Sequence, residues 1–146
     1  MSTKLKSFFD QATFTLTYIV YDDSTKDAII IDPVLDYNIA SSTVSYTSIE
    51  ILKTFIDEQK LRPQLILETH AHADHLSSSY DLKNIFPAAK IGIGKGIKKV
   101  QARFKEIFNI KTLLTDGSQF DLLMEEGVEV TAGSIMVKTI ATPGHT

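Results

Sequence analysis

The sequence predicts an α/β layered domain, and three patterns carry that expectation. Apolar residues alternate with period two in some stretches and recur at helical spacing in others. The two kinds of stretch follow one another along the chain, and long polar segments fall at the ends of the strand-like runs. The 146 residues suffice for one domain with a core, spanning 1–146, and no repeat or low-complexity segment divides them.

Phe14, Leu16, Tyr18 and Val20 alternate with Thr13, Thr15 and Thr17, the pattern of a half-buried strand. Asp22-Asp23-Ser24 reads as a turn, and residues 28–31 as a more buried strand paired back as a hairpin. Asp32-Pro33 ends it, because proline has no amide hydrogen to give a ladder. Residues 35–46 are polar and irregular and read as a loop. Thr47 and Glu50 have capping-box spacing, and Ile49, Leu52, Phe55 and Ile56 follow on one face of a helix over 48–60. Arg62-Pro63 stops that helix, and Leu65-Ile66-Leu67 is a short buried strand. A second helix is expected from Asp74 or His75 to Ile85, closed by Pro87.

Residues 90–93 read as another strand, and Ile97, Val100, Phe104 and Ile107 mark a helix over 96–108. Asp116-Gly117 and Glu126-Gly127 are turns. Residues 128–131 and 134–142 read as two strands joined tightly at Ala132-Gly133.

Composition narrows the chemistry. The formal charge of −3 is spread over mixed signs with no basic block, which argues against nucleic acid or an anionic membrane as partner. The chain has no cysteine, which excludes disulfides, thiolate ligands and a cysteine nucleophile and leaves metal binding to histidine and carboxylates. The start lacks an apolar signal core, only Arg62 and Arg103 are arginines, and no apolar run approaches the ~20 residues of a membrane helix. A cytoplasmic protein is the expectation.

The chemistry then concentrates in Thr69-His70-Ala71-His72-Ala73-Asp74-His75, directly after the buried run, with the remaining histidine in Thr142-Pro143-Gly144-His145-Thr146. A lone histidine is more often a surface or satisfied core residue. Three imidazoles and a carboxylate within six residues point instead to one metal, or two side by side, of the kind that takes nitrogen and oxygen ligands, Zn or Fe. His70 and His72, two apart at the end of an extended segment, are expected to point the same way, with Asp74 and His75 facing a second position. His145 follows a strand and a Pro-Gly turn and is the natural further ligand. Asp32, at the end of its strand, reads as a turn residue or as a contact to the site.

Other patterns carry less. Gly92-Ile93-Gly94-Lys95-Gly96 lacks the third glycine of a dinucleotide fingerprint and reads as a strand-to-helix turn. Ser77, Ser78 and Ser79 lie outside a nucleophile elbow and read as exposed positions or caps. Lys95, Lys98, Lys99 and Arg103 read as a solvated helix face, with attraction of an acidic substrate the lesser alternative.

His70-x-His72-x-Asp74-His75 with Thr142-Pro143-Gly144-His145-Thr146 resembles the metallo-β-lactamase superfamily, whose fold is an αββα sandwich. Within it, residues 68–77 are similar to the persulfide dioxygenases, as are Ile91-Gly92-Ile93-Gly94, Phe108-Asn109, residues 116–120 and residues 31–36. The resemblance implies a non-haem Fe(II) held by two histidines, matched by His70 and His145, and one aspartate. It further implies oxidation of glutathione persulfide by O2 to sulfite and glutathione. His72, Asp74 and His75 are then outer groups that orient ligands, or ligands themselves if another metal loads, with Asp74 the candidate catalytic carboxylate.

An alternative is a dinuclear zinc thioester hydrolase of glyoxalase II type, with His70, His72 and His145 on one zinc and Asp74 and His75 on the other. The resemblance places the remaining ligands after His145. The expectation is therefore the first half of the sandwich, inactive as this chain alone, and a second alternative is an inactive half-domain fragment. The expected partner is a small thiol-derived substrate, glutathione persulfide or a thioester, and homo-oligomer formation stays open.

Overall fold

The computed structural model describes residues 2–144, which build a six-stranded mixed sheet in the order β1 (Thr3–Phe9), β2 (Leu16–Asp22), β3 (Asp27–Ile31), β6 (Arg62–Glu68), β8 (Lys90–Gly94), β9 (Leu122–Met124). The expected hairpin is its second and third strand. β2 (Leu16–Asp22) and β3 (Asp27–Ile31) pair antiparallel with Ile19 opposite Ile30. β1 (Thr3–Phe9), absent from the sequence reading, pairs on the outer edge of β2; its mostly exposed pattern hides the periodicity that would have betrayed it. The other half of the sheet is parallel. β6 (Arg62–Glu68) lies beside β3, followed by β8 (Lys90–Gly94) and β9 (Leu122–Met124), a strand too short to show a pattern.

Strand alternation sorts the apolar residues between two faces. Ile19, Ala28, Ile30, Ile66 and Ile91 point to the face covered by α1 (Thr47–Gln59) and α2 (Ser79–Ile85), through Ile49, Leu52, Ile56 and Leu82. Each isoleucine or leucine among them, once fully buried, contributes about 2 kcal/mol. Ile29, Leu65 and Leu67 point to the opposite face, which receives Ile135 and Ala132 of the hairpin β10 (Glu129–Ala132) and β11 (Ile135–Lys138). α3 (Ile97–Ile107) follows β8 as expected. The architecture is thus a helical layer, a sheet, and β structure on the sheet's other face.

Four expectations need correction. Residues 35–46 are not all loop, because β4 (Val34–Asn38) and β5 (Thr43–Ser45) pair there. The capping box does not form: no side chain at the start of α1 caps it, and Asp36 accepts from the Ser48 amide at 2.8 Å and its hydroxyl at 2.7 Å instead. The chain after His75 is not yet helical; Leu76–Ser77 form β7, paired with Val34 and Leu35, and α2 begins only at Ser79. The final hairpin turns at Gly133 and Ser134, one residue later than expected.

Candidate metal centre

The histidine segment hangs between two strands that fix its ends. It leaves β6 at Glu68 and enters β7, which is sewn to β4 immediately after the Asp32-Pro33 turn. The Asp32 amide donates to the Leu67 carbonyl at 2.9 Å, and the Ser78 amide to the Pro33 carbonyl at 2.9 Å. Asp32 itself has a left-handed backbone, φ 49°. That turn brings its carboxylate beneath the loop, where it accepts from the Thr69 amide and the Thr69 hydroxyl, both at 2.7 Å.

His72 is the centre of the arrangement. Its ring lies 4.1 Å from that of His70 and 4.2 Å from that of His75, centroid to centroid, and its side chain is only 6% exposed. Nε2 donates to Asp32 Oδ1 at 3.0 Å, and Glu68 Oε2 stands equally close at 3.0 Å, off the hydrogen-bond axis. Burial works against the imidazolium, but the two carboxylates outweigh it and push the His72 pKa up to about 9. Burial likewise opposes the charge of Asp32, yet the bonds from His72 and Thr69 hold its carboxyl below the usual range.

Ligand atoms of His70, His72 and Asp74 lie within 4.8 Å of one another. This is a donor set that a divalent ion such as Zn or Fe takes. Because His72 spends Nε2 on the carboxylates, Nδ1 is the nitrogen it has left for an ion. The rings gather on a bent loop rather than by alternation along a strand, as the sequence had suggested. Asp74 offers a ligand atom close to those of His70 and His72. His75 Nδ1 contacts the Leu76 carbonyl at 3.1 Å. His145 lies outside the described residues.

The sequence reading missed Glu68, and of its two readings for the serines the capping one fits, since Ser78 stands at the start of α2 and Ser77 Oγ accepts from the Ser79 amide. Ser78 and Ser79 are buried, not exposed, and the Ser77 and Ser79 hydroxyls both donate to Glu68 Oε1. The available signal was a charge closing the apolar run Leu65-Ile66-Leu67, on the face that Ile66 directs into the core. A cavity of about 420 Å³ adjoins the cluster, bounded by His72, His75, Leu76, Tyr80, Ile93 and Phe120. No helix among the described residues is long and apolar enough to cross a membrane.

Comparison with known proteins places this geometry. The family model described as "Metallo-beta-lactamase superfamily" matches residues 11–146. The chain is similar to glyoxylase B2 of Dictyostelium discoideum, 44% identical over 98% of this chain and 49% of that protein. It is 29% identical to the human mitochondrial persulfide dioxygenase ETHE1, over 97% of this chain and 44% of that one. Among solved structures, ETHE1 from Myxococcus xanthus superposes with a TM-score of 0.70 at 25% identity, covering 98% of this chain and 50% of that one. The chain therefore spans about half the length of these relatives.

Proposed function

The chain belongs to the metallo-beta-lactamase superfamily, and from that premise we propose that it contributes the histidine loop of a metal centre in a non-haem iron persulfide dioxygenase. The observation that carries the metal reading is the convergence of His70, His72 and Asp74 beside two buried carboxylates. The similarity to persulfide dioxygenases supports the finer assignment. In this reading His70 and His145 are imidazole ligands, and the substrate is glutathione persulfide. The sulfane sulfur loses four electrons in becoming sulfite and O2 gains four; O2 and one water supply the three oxygens, two protons are released, and glutathione leaves as the thiol. When bound, the ion supplies a Lewis acid with positions open to O2 and sulfur.

The chain's own residues do the arranging. Asp32 and Glu68 hold the His72 ring, and Thr69 anchors the loop to Asp32 through its amide and hydroxyl. The adjoining cavity offers a mainly apolar wall, with Leu76, Ile93 and Phe120, beside the histidines.

The similarity to glyoxylase B2 favours a second reading, a dinuclear zinc thioester hydrolase in which His70, His72 and His145 hold one ion and Asp74 and His75 the other. Metal analysis of the full-length protein, with O2 uptake on glutathione persulfide, separates the two. About one iron per chain and O2 consumption are expected. Two zincs, with thioester cleavage and no O2 uptake, would overturn the dioxygenase assignment.

A further inference from the structure

We propose that Glu68 is a positioning residue of the metal centre, a second carboxylate that fixes the His72 ring from behind. The inference rests on the metal reading above and takes His72 as one of the ligands, as the zinc assignment does. Its ground is the division of labour between the two carboxylate oxygens. Oε1 takes both serine hydroxyls, from Ser77 and Ser79. Oε2 is thereby turned toward the His72 ring, 3.0 Å from Nε2.

The backbone has no freedom to move this carboxylate away. Glu68 is the last residue of β6, paired in register with Ile93 of β8, and its side chain is 5% exposed. Its neighbours along the strand are the apolar Leu65, Ile66 and Leu67, and a carboxylate at such a place is costly without partners.

A purely structural role does not account for the residue. A glutamine has a carbonyl oxygen that would still accept from Ser77 and Ser79, though less strongly than an anion. What glutamine lacks is a second anionic oxygen at the imidazole. Two anionic oxygens on Nε2, Asp32 Oδ1 and Glu68 Oε2, keep the N–H on that nitrogen and leave Nδ1 as the donor to the ion. They also make the ring a stronger donor than one carboxylate would, and they place two negative charges behind a bound cation.

The test is Glu68→Gln in the full-length protein, with zinc as a diamagnetic probe. Thermal unfolding of the metal-free variant checks that it folds. Chelator competition is expected to show zinc held roughly 10- to 100-fold more weakly than in wild type. Proton NMR is expected to show the hydrogen-bonded Nε2–H of His72 as a downfield, slowly exchanging resonance in wild type. In the variant it moves upfield and exchanges faster. Unchanged zinc affinity and an unchanged resonance in a folded variant would overturn the proposal. If wild type itself takes up no zinc, the metal reading falls, and the resonance alone then decides on Glu68: a shift in the variant supports the contact, and no shift ends it.

Discussion

Strands β3 and β6 each run from one carboxylate cluster to another, and the two ends use the same chemistry to opposite purposes. At the start of β3, Asp27 accepts from the Ser134 amide at 2.9 Å, from Arg62 at 3.1 Å and from Gln64 at 3.2 Å. Burial opposes its charge, but the bonds from Ser134 and Thr25 and the nearby Arg62 charge hold its carboxyl below the usual range. Beyond the end of the same strand, Asp32 accepts from His72 Nε2 and from the Thr69 amide and hydroxyl, with Glu68 Oε2 3.0 Å from the same Nε2. One end has donors for both oxygens of its carboxylate, and at the other Glu68 Oε2 is buried without a hydrogen-bond donor. A saturated carboxylate fastens two pieces of chain together. A surplus of carboxylate marks the place where a cation is expected, and here it sits against three histidines.

Substitutions at the two ends should therefore separate stability from metal uptake. The largest effect is expected at the histidine end. His70→Ala should weaken zinc binding by about 1,000-fold, equivalent to about 4 kcal/mol, while metal-free stability stays within about 1 kcal/mol. Titration against a chelator, beside denaturant unfolding, reads both quantities. A variant that unfolds but binds zinc normally when folded would reverse the comparison.

At the other end the hairpin turn is the sensitive point. Gly133 has φ +61°, and a Cβ there would stand 2.3 Å from the Asp27 carboxylate. Gly133→Ala should cost about 2–3 kcal/mol by combining left-handed strain with the clash. Zinc affinity per folded molecule should not change, and urea melts of the metal-free and metal-loaded protein check this. Asp27→Asn keeps the shape but removes the charge from three donors, and about 1–2 kcal/mol of lost stability is expected in the same assay. Arg62 contributes little of that, since its side chain is 64% exposed.

The smallest effect is a pH dependence at the fastened end. The hydrogen bonds from Lys26 and Lys4 draw the Asp23 pKa down from its ordinary 3.8 to about 2. A depressed carboxyl stabilises the fold above its unfolded pKa and ceases to do so as the pH falls through its folded one. Melting temperatures of wild type should therefore drop between pH 4 and 2 by slightly more than those of Asp23→Asn. Parallel curves would remove Asp23 from the account.

The two ends also differ in how legible they were. α3 follows from apolar periodicity, because one side must be buried and the spacing records it, while β6 shows as a short continuous apolar run buried on both faces. The histidine loop was equally plain, since few uses other than a metal gather three imidazoles in six residues. What could not be read were contacts between segments distant in sequence. Asp36 caps α1 only because β4 returns beside it, and Thr47 looked like the better cap. Glu68 matters only because Ser77 and Ser79 fold back onto it after nine and eleven residues. β4 and β5 have exposed or mixed faces, and β9 is three residues long, so neither propensity nor pattern distinguishes them from loop.

The Ser134–Asp27 bond has a consequence in time as well as in energy. It joins residues 107 apart in sequence, so the β10–β11 hairpin docks only after a very long loop has closed. The β2–β3 hairpin and the β3–β6 pairing close shorter loops and need no help from it. Assembly should run in that order, with β10–β11 arriving last. Under native conditions the same hairpin should be the first part to detach, and its amides should exchange with solvent deuterium well ahead of those in β3 and β6.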